Sequence, residues 1–146
     1  MRTIGNILWL TLAGLWLAIG YTIAGLINLV FIITIPFAIQ AFKLAGYALW
    51  PFGRVVVHRP ERDVALSLLG NIIWFVFGGF WMALAHLVTG LLLIITIIGF
   101  PLGVANLKMA GLALAPFGKK VVTLAQAKEM GAPVVAVVEE LPDRAT

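Results

Sequence analysis

The chain has 146 residues, of which 62% are hydrophobic and only 11% are charged, and its formal net charge is +4. A soluble domain carries about 25% charged residues, and a chain of this composition has too little polar surface to cover its apolar runs. Its ten lysines and arginines flank those runs instead of lining one face, which argues against nucleic-acid binding, and the absence of cysteine excludes disulfides and cysteine-based metal or redox sites.

Two long segments carry no charged residue. One lies between Arg2 and Lys43, and the other lies between Asp63 and Lys108. Uncharged apolar runs longer than about 18 residues are typical of membrane spans. The sequence therefore predicts an integral membrane protein embedded in the lipid bilayer.

The second half of the chain repeats the first. Residues 6–57 align with residues 71–122 without a gap, and many positions are identical, including an asparagine, two tryptophans and a Pro-Phe-Gly (PFG) stretch in each copy. We therefore predict a first membrane repeat, a charged linker, a second membrane repeat and a polar C-terminal tail. Their bounds are residues 1–57, 58–70, 71–122 and 123–146, respectively.

Each repeat begins with an apolar stretch rich in Trp, Gly and Ala. Asn6 is a predicted helix N-cap, as is its counterpart in the second repeat. Trp9 and Trp16 are seven residues apart, as are Trp74 and Trp81, and this spacing predicts that each pair shares one helical face. The pairs either anchor the helices at the membrane interface or form a seam between packed helices.

Prolines divide each repeat. Pro36 and Pro101 are predicted helix breaks, because proline removes a backbone donor and disfavours helix in the preceding residue. A Lys-bearing segment of helical composition follows each break. Pro51 and Pro116 are the next predicted breaks, where the glycine of the PFG stretch permits a turn.

The predicted fold class is an all-α integral membrane protein with two tandem parallel repeats of short or broken transmembrane or re-entrant helices, each followed by an interfacial helix. The stretch from Ile4 to Phe42 is roughly 58 Å long as a straight helix, against a hydrocarbon core of about 30 Å, so two crossings fit if they are short or one is re-entrant. An even number of crossings puts every Lys and Arg on one side. The positive-inside rule then predicts that both termini and the linker are cytoplasmic.

The order IP or FP, a Lys-bearing helix, and then ALWPFGR or ALAPFGKK resembles the YccF family of small bacterial inner-membrane proteins. The resemblance covers about residues 1–122. It implies a multi-pass protein of the bacterial plasma (inner) membrane with two YccF domains. It implies no catalytic residue.

Lys43 and Lys108 occupy the same position in the two repeats and are the candidate ion or lipid-headgroup residues. One interpretation is that both side chains extend to the membrane surface, as lysines near the end of a span commonly do. The other is that they line an anion path or bind lipid phosphate. Gln40 and Asn106 lie near the lysines in sequence but at non-equivalent positions, which weakens a symmetric site.

The sequence offers no catalytic, cofactor or metal site. His86 has no acidic residue or second histidine near it in sequence, so it is a poor metal ligand or acid–base group. We therefore predict that the protein is not an enzyme. All the carboxylates lie in the linker or the tail: Glu61, Asp63, Glu129, Glu139, Glu140 and Asp143.

Two functions remain open. The leading hypothesis is a small oligomeric channel or permeation protein that prefers anions, because lysines are its candidate charges in the membrane. The alternative is a non-conducting membrane module that binds lipid or a partner membrane protein. A homo-oligomer is expected, since proline-broken backbone at membrane depth needs protein or water around it.

Overall fold

The computed structural model describes residues 2–59 and 61–138, which are mostly helical with a small sheet at one end. The helices of the described chain are α1 (Arg2–Trp9), α2 (Leu15–Leu29), α3 (Ile35–Leu49), α4 (Val64–Trp74), α5 (Phe80–Ile94), α6 (Phe100–Leu114) and α7 (Leu124–Glu129). The strands are β1 (Arg54–His58), β2 (Lys119–Thr123) and β3 (Val134–Val137).

Each repeat folds as a helical hairpin. A π-helical turn at Leu10–Gly14 joins α1 to α2, and the turn Phe75–Gly79 joins α4 to α5 at the equivalent place. These joined helices are the long limbs of the two hairpins. Helices α3 and α6 pack along α2 and α5 as the short limbs. The Lys-bearing segments, expected as interfacial helices, are these short limbs.

Three helices are long and apolar enough to cross a membrane. They are Arg2–Leu29 with 28 residues, Ile32–Leu49 with 18 and Val64–Ile94 with 31. Helix α6 is apolar but shorter, with 15 residues. Large hydrophobic side chains are exposed along these helices, as in helices that face lipid instead of water. The helical, membrane-embedded character predicted from the sequence agrees with this structure.

The four prolines lie at the ends of the short limbs. Pro36 and Pro101 occupy the first turn of α3 and α6, where a proline removes no helical hydrogen bond. Pro51 and Pro116 follow the C-terminal ends of the same helices. Gly53, with a φ of +89°, then turns the chain into β1 through left-handed backbone, and a glycine does the same before β2.

The sheet joins the two hairpins. It is antiparallel, with the strand order β2-β1-β3. Val56 of β1 lies opposite Val121 of β2, and these valines occupy the same position in the two repeats. The pairing therefore relates the repeats by a local pseudo-two-fold axis. The all-α fold class omitted this sheet, whose sequence signal is the run of β-branched residues after each PFG turn.

The segment 123–146, expected as a polar tail, is folded over its described part. Helix α7 begins with a capping box, in which the side chains of Thr123 and Gln126 each accept from the other's backbone N–H. Strand β3 then pairs with β1 on the edge opposite β2. Residues 139–146 lie outside the described part of the chain, and with them Glu139, Glu140 and Asp143.

The two repeat-related asparagines are not helix N-caps, so that prediction is wrong. Asn6 lies inside α1, and Asn71 lies inside α4, whose N-cap is Asp63. The Asp63 carboxylate accepts a hydrogen bond from the backbone N–H of Leu66 at 3.0 Å. Helix α4 thus begins in the linker, because the linker supplies the cap.

Trp9 and Trp16 do not share a helical face, so this prediction is also wrong. Trp9 is 0% exposed, whereas Trp16 is 69% exposed. The π-turn between them holds one extra residue, which rotates the later residues by about 100° relative to a continuous α-helix. The second π-turn separates the buried Trp74 from the exposed Trp81 in the same way.

Candidate functional site

The same residues in each repeat form the contacts where its hairpin joins the sheet. Asn6 donates from Nδ2 to the Phe52 carbonyl and accepts at Oδ1 from the Phe52 N–H, both at 3.0 Å. Asn71 makes the same two bonds with Phe117, at 3.3 and 2.8 Å. Each asparagine thus satisfies both backbone groups of the phenylalanine in its PFG turn. This role explains why both copies carry the asparagine and the turn.

Trp9 and Gly14 fix the long limb of the first hairpin against its short limb. The indole Nε1 of Trp9 donates to the Ala48 carbonyl at 2.6 Å. A Cβ on Gly14 would lie 2.5 Å from that nitrogen and 2.7 Å from that carbonyl, so a larger residue does not fit without movement. Trp74 makes the same bond in the second hairpin. These contacts hold the two limbs together at the end of each hairpin next to the sheet, which we call its open end.

Lys43 links the first hairpin to the second repeat. Its Nζ donates to Gln40 Oε1 at 2.5 Å, to the Pro116 carbonyl at 2.6 Å and to the Lys119 carbonyl at 2.9 Å. An ammonium has three N–H donors, and all three are used by these acceptors. Lys43 therefore joins α3 to the second repeat and has no donor left for a ligand.

Lys108 has different surroundings from Lys43, although the two are equivalent in sequence. It is exposed on α6 and forms no hydrogen bond or ion pair with any residue in 2–59 or 61–138. Ala105 stands where the first repeat has Gln40, so one of the three acceptors has no counterpart. The structure thus does not bring the two lysines into one symmetric site.

A cavity of about 330 Å³ lies between α3 and β2, next to Lys43. We call it the basic pocket, and its polar lining is Lys43, Tyr47, Arg54, Thr123 and Gln126. Among residues 2–59 and 61–138, no carboxylate is part of its lining. Tyr47 is 2% exposed, and its hydroxyl has no hydrogen-bond partner among the residues described. Arg54 donates one guanidinium N–H to the Gly46 carbonyl at 3.1 Å, and its other N–H groups have no partner in residues 2–59 and 61–138.

Further positive charge surrounds the basic pocket. Arg59, Arg62 and Lys119 repel the Lys43 ammonium. Burial lowers the pKa of Lys119 below its ordinary value, because its ammonium is partly withdrawn from water. Positive charge concentrated beside a cavity attracts an anion. The arrangement can therefore bind a negatively charged group.

A second polar group lies buried between the hairpins. Tyr21 Oη is 2.9 Å from His86 Nε2, and His86 Nδ1 is 2.5 Å from Asn106 Oδ1. Since Oδ1 only accepts, Nδ1 carries the proton and Nε2 accepts from the Tyr21 hydroxyl. Asn106 Nδ2 is buried and has no partner among the described residues. These hydrogen-bonded side chains, which we call the Tyr21–His86–Asn106 network, connect α2 to α5 and α5 to α6.

The sequence analysis did not predict the Tyr21–His86–Asn106 network, because it considered only acidic or histidine partners for His86 and associated Asn106 with Lys108. The available signal was that Tyr21 and His86 align, so both apolar repeats carry a polar ring at the same position. Among residues 2–59 and 61–138, no group of three His, Cys, Asp or Glu side chains could hold a metal ion.

Comparison with known proteins identifies the repeated unit. A family model described as the YccF inner membrane component domain matches the chain twice, at residues 4–54 and 69–119. The Inner membrane protein YccF of Escherichia coli K12 is 37% identical over 136 residues, covering 88% of this chain and 92% of that relative. The Inner membrane protein YccF of Shigella flexneri has the same identity and coverage. No solved structure matches the chain. With its duplicated domain and apolar helices, the chain belongs to the YccF family of inner membrane proteins.

Proposed function

We propose that this protein is a lipid-binding module of the inner membrane, which holds the phosphate of an anionic phospholipid headgroup in the basic pocket. The observation that carries the proposal is the Tyr47 hydroxyl, which has no partner among the described residues and lies beside Arg54 and Lys43 in a cavity whose described lining contains no carboxylate. A phosphate group offers oxygen acceptors and negative charge, which match these donors and this field. The proposal therefore selects the non-conducting alternative over the channel.

The three residues have separate roles. Arg54 and Tyr47 supply free N–H and O–H donors to the phosphate oxygens. Lys43 gives no hydrogen bond to the ligand, because its own donors are already used by Gln40, Pro116 and Lys119. Its bonds also hold β2 beside α3, so they shape the pocket.

The proposed orientation places the sheet at the cytoplasmic surface. The linker and the strands at this end carry most of the cations of the described chain, which the positive-inside rule assigns to the cytoplasm. Pairing of β1 with β2 supports parallel repeats, since each strand follows the short limb of its own hairpin. Both termini would then be cytoplasmic, and the basic pocket would face the headgroups of the inner leaflet.

The test is ligand binding to the detergent-purified full chain. Short-chain phosphatidylglycerol, short-chain phosphatidylcholine and inorganic phosphate are titrated separately, and bound ligand is counted by native mass spectrometry. Tyr47→Phe removes one free hydroxyl without breaking a bond in the unliganded protein. Arg54→Gln removes the main donor, and Lys120→Gln is the matched control on the exposed part of β2.

We expect phosphatidylglycerol to bind in preference to phosphatidylcholine. Loss of a charge-assisted hydrogen bond is worth about 1.5–3 kcal/mol, so Arg54→Gln should weaken binding about tenfold or more, and Tyr47→Phe should weaken it less. Lys120→Gln should bind like the parent. Equal binding of the two lipids, unaffected by Arg54→Gln, contradicts the proposal. Tight binding of inorganic phosphate alone would assign the pocket to a free anion instead.

A conducting, anion-preferring homo-oligomer is the second candidate. The equivalent breaks in the two hairpins favour it, because pseudo-symmetric broken segments form the sites of many transporters. Against it, Lys43 is hydrogen-bonded to its own protein, so Lys108 is the one lysine of the two short limbs, α3 and α6, that is available to a permeating anion. Chloride conductance of proteoliposomes, together with a defined ring-sized oligomer, would reverse the order of the two candidates.

A further inference from the structure

We propose that both hairpins enter the bilayer from one side and end inside its hydrocarbon core, without reaching the aqueous compartment beyond. The relevant features are the turns at the closed ends, which we call the first tip (residues 30–34) and the second tip (residues 95–99). The partner of both tips is the acyl-chain region of the lipid.

The length of the short limbs supports this. The path from Ile32 to Lys43 is about 17 Å at about 1.5 Å per residue, and the helical path from Phe100 to Lys108 is about 12 Å, preceded by the turn that holds Ile97. The hydrocarbon core of a bilayer is about 30 Å thick. With the two lysines at the polar surface, the tips therefore stop near the middle of the core. Snorkelling of the side chains adds only a few ångströms.

The long limbs do not reach deeper than the short ones. Their extra residues lie at the open ends of the hairpins, where Asn6 bonds to Phe52 and Trp9 bonds to Ala48. The N-terminal turns of the long limbs are thus at the level of the PFG turns. The remaining length matches the short limb that packs beside it.

The tips have the surface of a lipid-facing segment. Ile33 is 87% exposed and Ile97 is 95% exposed, and their neighbours in both tips are also large exposed hydrophobic residues. Neither tip contains a charged residue. A turn that reached water would expose this surface at a large unfavourable hydration free energy.

Both threonines of the tips form hydrogen bonds within the chain, as polar groups in hydrocarbon require. In the first tip, Thr34 Oγ1 donates to the Asn28 carbonyl at 2.6 Å, and the Thr34 N–H donates to the Phe31 carbonyl at 3.0 Å. In the second tip, Thr96 Oγ1 donates to the Leu93 carbonyl at 2.8 Å and accepts from the Gly99 N–H at 3.0 Å. A threonine therefore closes each turn internally, although the two threonines are not at equivalent positions.

A cavity beside the first tip points to the same partner. It measures about 540 Å³ and is lined almost entirely by apolar groups, among them Ala24, Phe31 and Phe77. Its lining includes two polar residues whose side chains bond within the protein: Asn28 donates from Nδ2 to the Ala24 carbonyl at 2.8 Å, and Thr34 donates from Oγ1 to the Asn28 carbonyl. An acyl chain, which has no hydrogen-bonding group, is the occupant that such a lining accepts.

The experiment uses single cysteines, since the natural chain has none. Ile33→Cys and Ile97→Cys place a nitroxide spin label at each tip, and Lys120→Cys is the control at the sheet. The labelled full chains are reconstituted in liposomes, and collisions with oxygen and with a water-soluble nickel chelate are measured. The same variants are treated in intact cells with a membrane-impermeant maleimide.

We expect the tip labels to collide with oxygen and not with the nickel chelate, and the control label to do the opposite. The impermeant maleimide should leave both tip cysteines unmodified. Access of the chelate to either tip, or modification from the periplasm, would overturn the proposal and establish full crossings. This result is independent of headgroup binding, which is measured on other residues at the opposite end of the hairpins.

Discussion

Tyr21 of the first repeat and His86 of the second are hydrogen-bonded to each other, with Oη and Nε2 2.9 Å apart, although they occupy the same position in their repeats. Val56 and Val121 show the same relationship in the sheet. Equivalent residues therefore meet at both levels of the molecule, near the middle of the hairpins and at their open ends. The interface between the repeats has the form of a two-fold dimer interface within one chain.

The Tyr21–His86 contact should stabilise the pair of hairpins. Tyr21→Phe leaves His86 Nε2 buried without a donor, and we expect a loss of about 1–2 kcal/mol in the free energy of unfolding. The double variant Tyr21→Phe/His86→Phe should lose less than the sum of the single variants, since both belong to one bond. Thermal unfolding in detergent measures this, with Thr22→Val as the control. Additive losses would show that the bond does not contribute.

Asn6 should be essential for the first PFG turn. Asn6→Ala leaves the N–H and the carbonyl of Phe52 without their partner, and we expect a loss of about 2 kcal/mol. Asn28→Ala is the matched control, because the Asn28 side chain donates to the Ala24 carbonyl of its own helix. Unfolding of the two variants is compared in the same detergent. Equal stability of the two variants would contradict this role of Asn6.

Replacement by alanine should lower the stability of the protein at Gly14 and raise it at Gly46, both in the first repeat. Gly14→Ala drives a methyl group into the Trp9 indole and the Ala48 carbonyl, so we expect a lower melting temperature. Gly46→Ala meets nothing within 4 Å and lies inside α3, so we expect an increase in stability of up to about 1 kcal/mol. Stabilisation by Gly14→Ala would mean that the two limbs are not in close contact.

Replacement of Lys43 and of Lys108, which are equivalent in sequence, should affect stability differently. Lys43→Met removes the donor of three hydrogen bonds and should lower the melting temperature clearly, whereas Lys108→Met should leave it nearly unchanged. Chloride permeability of proteoliposomes is measured on both variants. A selectivity change in Lys108→Met with unchanged stability would support the anion-path interpretation of that residue.

Much of the architecture follows from local rules in the sequence. The uncharged runs predict apolar helices, and the alignment of residues 6–57 with 71–122 predicts two equivalent folding units. Pro36 lies in the first turn of α3 and Pro51 follows its last turn, because a proline is compatible with both of these positions. These signals require only the chain near each residue.

The features that the sequence did not predict depend on tertiary contacts or on a change in helical period. Nothing near Asn6 in sequence shows that its partner is Phe52, and an asparagine before an apolar run is also an ordinary N-cap. The π-turn at Leu10–Gly14 invalidates a face assignment based on 3.6 residues per turn. Lys43 and Lys108 were treated as equals because the distinguishing contact of Lys43 comes from the other repeat.

The meeting of Val56 with Val121 also bears on how many ligands one chain binds. A chain with a single repeat would present one half of a two-fold interface, and two copies would close it with every contact occurring twice. Because the two repeats lie in one chain, their sequences can differ from each other. Tyr21 of one repeat therefore contacts His86 of the other, and β3 pairs with β1 but not with β2. The same divergence surrounds Lys43 with acceptors and leaves Lys108 exposed. A fused pair of this kind can bind a headgroup at a ratio of one per chain, whereas two identical subunits would offer two equal sites.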